Sequence, residues 1–172
     1  MPIGAALASG ALVAATGLAS PDGAEWETAA DPEGCQSCHL GSPDPEESPA
    51  LTLEGLPERP EAGGSYTLTI VLDDPAIRNT GFLLSIGASG GAPGELSALD
   101  ERVEAMGTLA RSTYAGSEPA EPGRARWEVV WTMPEPIPPM FGLSLWANAG
   151  NDDLSPLGDR LHHRRWQLAP RR

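Results

Sequence analysis

Both cysteines of this chain and one of its three histidines stand together, as Cys35-Gln36-Ser37-Cys38-His39. The C-x-x-C-H spacing fits covalent attachment of a haem. Each thiol would add to one vinyl group of the porphyrin. Two intervening residues, wound in a single turn, carry both sulfurs to one edge of the ring. The next residue then lies under the iron, with its imidazole as proximal axial ligand. Cys35 and Cys38 are thus the expected thioether anchors and His39 the expected metal ligand. The expected cofactor is one covalent haem c.

Other chemistries of paired cysteines fit less well. A zinc ribbon needs a second pair, and the chain has two cysteines in all. A thioredoxin-type pair opens a helix in a βαβ unit. Here Pro32 and Gly34 precede the pair, and Leu40, Gly41, Ser42 and Pro43 follow it. A disulfide across two residues closes too small a ring to gain much chain entropy. No Ser-His-Asp pattern, nucleotide loop or zinc motif competes.

The iron's opposite face sets what such a haem does. Methionine there raises the potential, a second histidine lowers it, and an open face admits small ligands. The candidates for this sixth ligand are His162, His163 and Met106. The two histidines are adjacent in an expected strand, so they point to opposite faces and only one can serve. Beside Arg164 and Arg165 they also read as surface histidines. Met133 reads as core, and Met140 follows a proline run. Trp166 and the nearby arginines are candidates to stack on the ring or pair its propionates.

Several elements must position these residues. Residues 3–19 are uncharged and rich in Ala, Gly and Leu. They read as a signal peptide or as a retained membrane helix. Either reading makes the chain extracytoplasmic, periplasmic or at the cell surface. Residues 20–49 form an acidic linker and a haem-binding arm, and prolines at 43, 45 and 49 exclude helix from residues 41–49. So short an arm must lie on another structure.

From residue 50 to 168 the pattern is that of strands. Tyr66, Leu68, Ile70 and Leu72 alternate with Ser65, Thr67, Thr69 and Val71. Trp127, Val129, Trp131 and Met133 share one face of a second stretch, and Phe141, Leu143, Leu145 and Ala147 one face of a third. Residues 81–88 add an apolar run, and residues 157–168 a last strand or pair. Turn chemistry separates them at Gly90-Gly91, Pro122-Gly123 and residues 134–139. Residues 98–106 alone hint at helix. The expected fold is mainly β, an antiparallel immunoglobulin-like β-sandwich over residues 50–168, with a short tail at 169–172. Asn148, Asn151, Asp152, Asp153 and Asp159 could hold Ca²⁺ or cap turns.

The net charge of −13 is uneven. Residues 22–61 hold eleven acids against Arg59 alone, and residues 62–172 hold thirteen acids against ten arginines. The acidic excess therefore surrounds the C-x-x-C-H stretch. Such a surface disfavours nucleic acid. It suits a solvated arm or a docking face for a redox protein with a basic surface.

The order of features resembles the bacterial reelin-like (Reeler-type) domains that carry one haem-attachment motif ahead of a β-sandwich. The resemblance spans residues 34–168. It rests on C-x-x-C-H, the strand Tyr66-Thr67-Leu68-Thr69-Ile70 and the Gly81-Phe82 opening. It rests further on the W-x-x-x-W-x-x-P run from Trp127 to Pro134. Last come Trp146-Ala147-Asn148-Ala149-Gly150-Asn151-Asp152 and Ser155-Pro156-Leu157-Gly158-Asp159. It implies a secreted or surface-held haem domain. Thr113-Tyr114 stand where such domains often carry a histidine before the Trp strand.

These readings converge on an exported monohaem c-type cytochrome-like protein in electron transfer, and not on an enzyme. One alternative is an accessory subunit of a membrane redox complex, anchored by residues 3–19. Another is a haem sensor or enzyme with an open distal site.

Overall fold

The computed structural model describes residues 26, 35, 36, 39, 47–153, 155 and 157–170. The apolar run at 3–19, most of the linker and Cys38 lie outside the described residues.

The alternating stretches become strands, as their period of two requires. β1 (Leu51–Glu54), β2 (Ser65–Asp73), β4 (Glu95–Ala98) and β7 (Arg124–Thr132) form one sheet in the order β1-β2-β7-β4. β3 (Asn79–Ser89), β5 (Val103–Met106), β6 (Leu109–Ser112), β8 (Met140–Gly150) and β9 (Arg160–Leu168) form the other, ordered β5-β6-β3-β8-β9. Every ladder between these strands is antiparallel. The two sheets face each other across one apolar core.

Register decides which side chains fill that core. Leu68, Ile70 and Leu72 of β2 and Trp127, Val129 and Trp131 of β7 point inward from one sheet. Phe82, Leu84 and Ile86 of β3 and Phe141, Leu143 and Leu145 of β8 point inward from the other. Two ring pairs join the layers. Trp127 packs on Phe82 with centroids 5.0 Å apart, and Trp131 meets Phe141 edge-on at 4.8 Å. Each indole N–H finds a backbone acceptor, Gly116 O for Trp127 and Pro93 O for Trp131. Buried indoles need such partners. Gly116 ends a single 3₁₀ turn, Tyr114–Gly116, capped by Thr113.

One of the expected elements is corrected, and the last strand or pair is settled as one strand. Residues 98–106 are not helical. Asp100 turns the chain by accepting the Arg102 N–H on its side chain, and Val103 then enters β5. Nine residues are too few for a helix to persist alone, and pairing of β5 with β6 overrides the local preference. The region 157–168 resolves into one strand, β9, that starts at Arg160.

The outer face of the five-stranded sheet carries the site. Leu83, Trp146 and Leu161 point away from the core yet are buried. A solvated sheet face would be polar there. The cover includes Trp26, Cys35 and Leu109, which pack on this second apolar cluster. The Arg111 guanidinium lies 4.5 Å from the centre of the Trp26 ring. Further along, Glu47 forms a parallel bridge to His163 on β9, and Ser48 N–H donates to His163 O at 3.0 Å. The chain then turns into β1. Thus Trp26, Cys35 and His39 lie against the outer face, and residues 47–48 pass along the β9 edge into the opposite sheet. No helix among the described residues is long and apolar enough to cross a membrane.

Candidate functional site

Cys35 and Gln36 are helical, and His39 N–H donates to Cys35 O at 3.0 Å. That hydrogen bond is one α-helical turn. It brings residue 39 back over residue 35. Cys35 and His39 accordingly line one cleft, with Gly81, Leu83, Ser112, Trp146, Asn148 and Leu161 among its walls. The cleft has a volume of about 80 Å³ and is open to solvent. Gly81 keeps it clear at one end. A Cβ there would stand 2.9 Å from Ser112 Oγ and 3.3 Å from Asn148 Oδ1.

His39 is held from the far end of the chain. Its Nδ1 is 2.7 Å from Asp159 Oδ2. A carboxylate only accepts hydrogen bonds, so Nδ1 carries the proton. In the neutral ring the lone pair is then on Nε2, where it is available to a metal. Asp159 is itself buried, and its other oxygen accepts the Asn151 N–H at 3.2 Å.

These residues fit a covalent haem. One thiol and one imidazole share a helical turn on the wall of an apolar cleft, and the imidazole is fixed in the ligating tautomer. Trp146 adds a further sign. Its indole N–H is buried and finds no acceptor among the described residues. An unmet buried donor is costly, and this one belongs to a residue of the cleft wall. Among the described residues no group of three or more His, Cys, Asp or Glu is placed to hold a bare metal ion. A haem iron needs only His39 from this side.

None of the three candidates for the distal ligand lines the cleft. Met106 is half exposed on β5. His162 and His163 do point to opposite faces of β9, but neither is the expected surface residue. Both are buried. His163 stacks on Trp146 at 4.0 Å and its Nε2 is hydrogen-bonded to Ser144 Oγ at 3.0 Å. His162 uses both nitrogens. Nε2–H donates to Asp74 Oδ2 at 2.9 Å, and Ser48 O–H donates to Nδ1 at 2.8 Å.

Ser48, His162 and Asp74 thus form a Ser-His-Asp line that no spacing in the sequence announced. The ring nitrogens are exchanged relative to the serine hydrolase arrangement. Ser48 does not line the cleft, and Asp74 is also bound to Arg160 and to Ala76 N–H. The line works as a strut tying β9 to the turns before β1 and after β2.

That strut makes stability depend on pH. Burial pushes the His162 pKa below its usual 6.5, outweighing the hydrogen bond and charge of Asp74, and Arg160 adds to the lowering. Burial and Arg165 lower His163 likewise, against Glu47. Both rings stay neutral in the fold while the unfolded chain takes up protons. Stability is therefore full above about pH 6.5 and falls as pH drops below it. The slope reaches at most about 1.4 kcal/mol per pH unit for each histidine. Urea unfolding at pH 7.5, 6.5 and 5.5 measures it. His162→Gln should flatten the slope, and an unchanged slope in that variant would remove His162 from the account.

The Asn/Asp segment is occupied with its own turns. Asn151 Nδ2 donates to Asp153 Oδ2 and to Leu157 O, and Asp153 accepts the Ser155 N–H. Asp152 sits at φ 63° and accepts from Asn79 Nδ2. Turn formation uses these groups, and Asp159 departs from them to reach His39.

No protein-family model matches the chain, and no curated protein matches it by sequence. Solved structures do match. The Reelin-N domain of F-spondin aligns with a TM-score of 0.50 and 18% identity, over 81% of this chain and 97% of that one. The human F-spondin reeler domain aligns at 0.46 and 18% identity as fragment 1, over 71% and 88% of the two chains. Fragment 2 gives 0.48 and 16% identity, over 80% and 99%. The likeness rests on the Reelin-N match and concerns fold alone. What this chain shares with it is a mainly β, two-sheet, reeler-like architecture.

Proposed function

We propose that the chain is a monohaem c-type protein of the cell exterior that takes part in electron transfer. The observation that carries this reading is the turn from Cys35 to His39, with His39 Nδ1 bound to Asp159. Cys35 and Cys38 would hold the haem covalently, and His39 Nε2 would ligate the iron. Bound there, the haem supplies one-electron iron chemistry. The chain's own residues do the rest. Leu83, Trp146 and Leu161 give the cleft an apolar wall, and Asp159 fixes the tautomer of His39. The acidic excess around residues 22–61 favours approach by a redox protein with a basic surface. Anchoring to a membrane, or into a membrane redox complex, would fall to residues 3–19.

One observation favours the second reading, a haem with an open distal site. None of His162, His163 and Met106 lines the cleft. The same sample tests both readings. The chain is produced in a host that matures c-type cytochromes. Its denatured mass should include one haem, and its reduced pyridine spectrum should be of c type. An unmodified mass would overturn the proposal. Rapid binding of CO by the reduced protein would favour the open site, whereas resistance to CO would favour electron transfer.

A further inference from the structure

We propose that Asp159 is a positioning residue that places negative charge behind His39 and holds the iron's potential low, an inference that rests on the haem reading above. Three observations carry it. The contact is short, 2.7 Å from Asp159 Oδ2 to His39 Nδ1. The carboxylate is buried, with 7% exposure. And its charge has no arginine partner among the described residues. Arg160, next in the chain, turns to the other side of β9 and pairs with Asp74.

A buried carboxylate at Nδ1 does more than a neutral acceptor would. It draws the ring proton toward itself and so makes Nε2 a stronger donor. A charge-assisted hydrogen bond is also about twice as strong as a neutral one. Stronger donation stabilises the more highly charged ferric iron over the ferrous. The balance therefore shifts toward the oxidised state.

The same contact fixes orientation. Asp159 lies 120 residues from His39 in the chain. Its backbone leads directly into β9, and Asn151 N–H pins its second oxygen. The outer-face arm is thus tied at His39 to the last loop of the sandwich. The imidazole plane is set by the rigid domain and not by the arm.

The test uses the full chain, loaded with haem, as wild type, Asp159→Asn and Asp159→Glu. Asparagine can still accept from Nδ1–H but carries no charge. At a fixed poise its ferric-to-ferrous ratio should fall by about tenfold, the lower end of effects from residues behind a metal ligand. For a one-electron couple that is a midpoint rise of about 59 mV. Asp159→Glu should return the midpoint most of the way. A midpoint in Asp159→Asn equal to wild type would overturn the inference, as would equal shifts in both variants.

A second measurement covers the case in which Asp159→Asn does not take up haem. In the unloaded wild-type chain, ¹⁵N–¹H spectra of the histidines should show His39 protonated at Nδ1. Protonation at Nε2 instead would overturn the inference. Failure of the haem reading looks different, because the wild-type chain itself would then emerge from the maturing host without covalent haem.

Discussion

A chain carrying both Cys35→Ala and Cys38→Ala should leave a haem-maturing host with no covalent haem at all. Thioether bonds form only at thiols, and these are the only two cysteines in the sequence. Each single variant keeps one anchor and should retain haem at reduced yield, with a pyridine spectrum shifted by the one unreacted vinyl. The cleft is open to solvent, so a haem without thioether bonds should be lost on dialysis. His39→Ala separates attachment from ligation. It leaves both thiols but removes the imidazole that Asp159 holds. Its denatured mass should still include haem, while its spectrum loses the wild-type axial pattern. Mass spectrometry under denaturing conditions reads the first property and absorption the second. Haem on the double cysteine variant after denaturation would remove these residues from the attachment.

The strands were legible where one face of a stretch meets one core. Trp127, Val129, Trp131 and Met133 alternate without a break, and all four are buried. The same holds for Phe141, Leu143, Leu145 and Ala147. A period of two with large apolar residues is a local signal, and the two-sheet fold follows from it. β4, β5 and β6 were not legible. Each has four residues, too few to show a period. β4 and β6 pair with the longer β7 and β3, and β5 pairs in turn with β6.

The site was legible in its near half only. Cys35 and His39 are brought together by one turn, and a spacing of four residues encodes that turn. Asp159 is 120 residues away. Nothing in its neighbourhood distinguishes it from Asp152 or Asp153, which stay within the turn. The trace it leaves is the Gly158-Asp159 step at the end of the Asn-rich stretch. Gly158 sits at φ 86°, a conformation natural to glycine, and the chain then enters β9 with Asp159 facing the arm. The histidines were misjudged for a similar reason. Two arginines follow them in sequence, which reads as surface. But Arg164 reaches across to Leu51 O, and Glu47 accepts the Arg165 N–H. The turn before β1 thus covers the β9 edge and buries the pair beneath it.

The two core tryptophans should part company when each is cut to alanine. Both are essentially fully buried, so each truncation should cost about 3–5 kcal/mol. That is a large share of a domain's usual stability of about 5–15 kcal/mol. Each also frees a backbone acceptor, Gly116 O or Pro93 O. Their partners differ. Trp131 packs on Phe141, at the end of β8 away from the cleft, where Phe141 pairs with Ala88. Trp127 packs on Phe82, and Phe82 lies on β3 between Gly81 and Leu83, which line the cleft. A cavity under Phe82 lets that stretch of β3 sink, and the wall facing Cys35 and His39 loses its support. Interiors are close-packed, so a void is felt first by its immediate neighbours. Urea midpoints should therefore fall by similar amounts in Trp127→Ala and Trp131→Ala. In conditions where both remain folded, Trp127→Ala alone should disturb the haem spectrum and speed reaction with added cyanide. Equal spectra in the two variants would mean that the cleft is held by the arm and by Asp159, with no contribution from the core beneath β3.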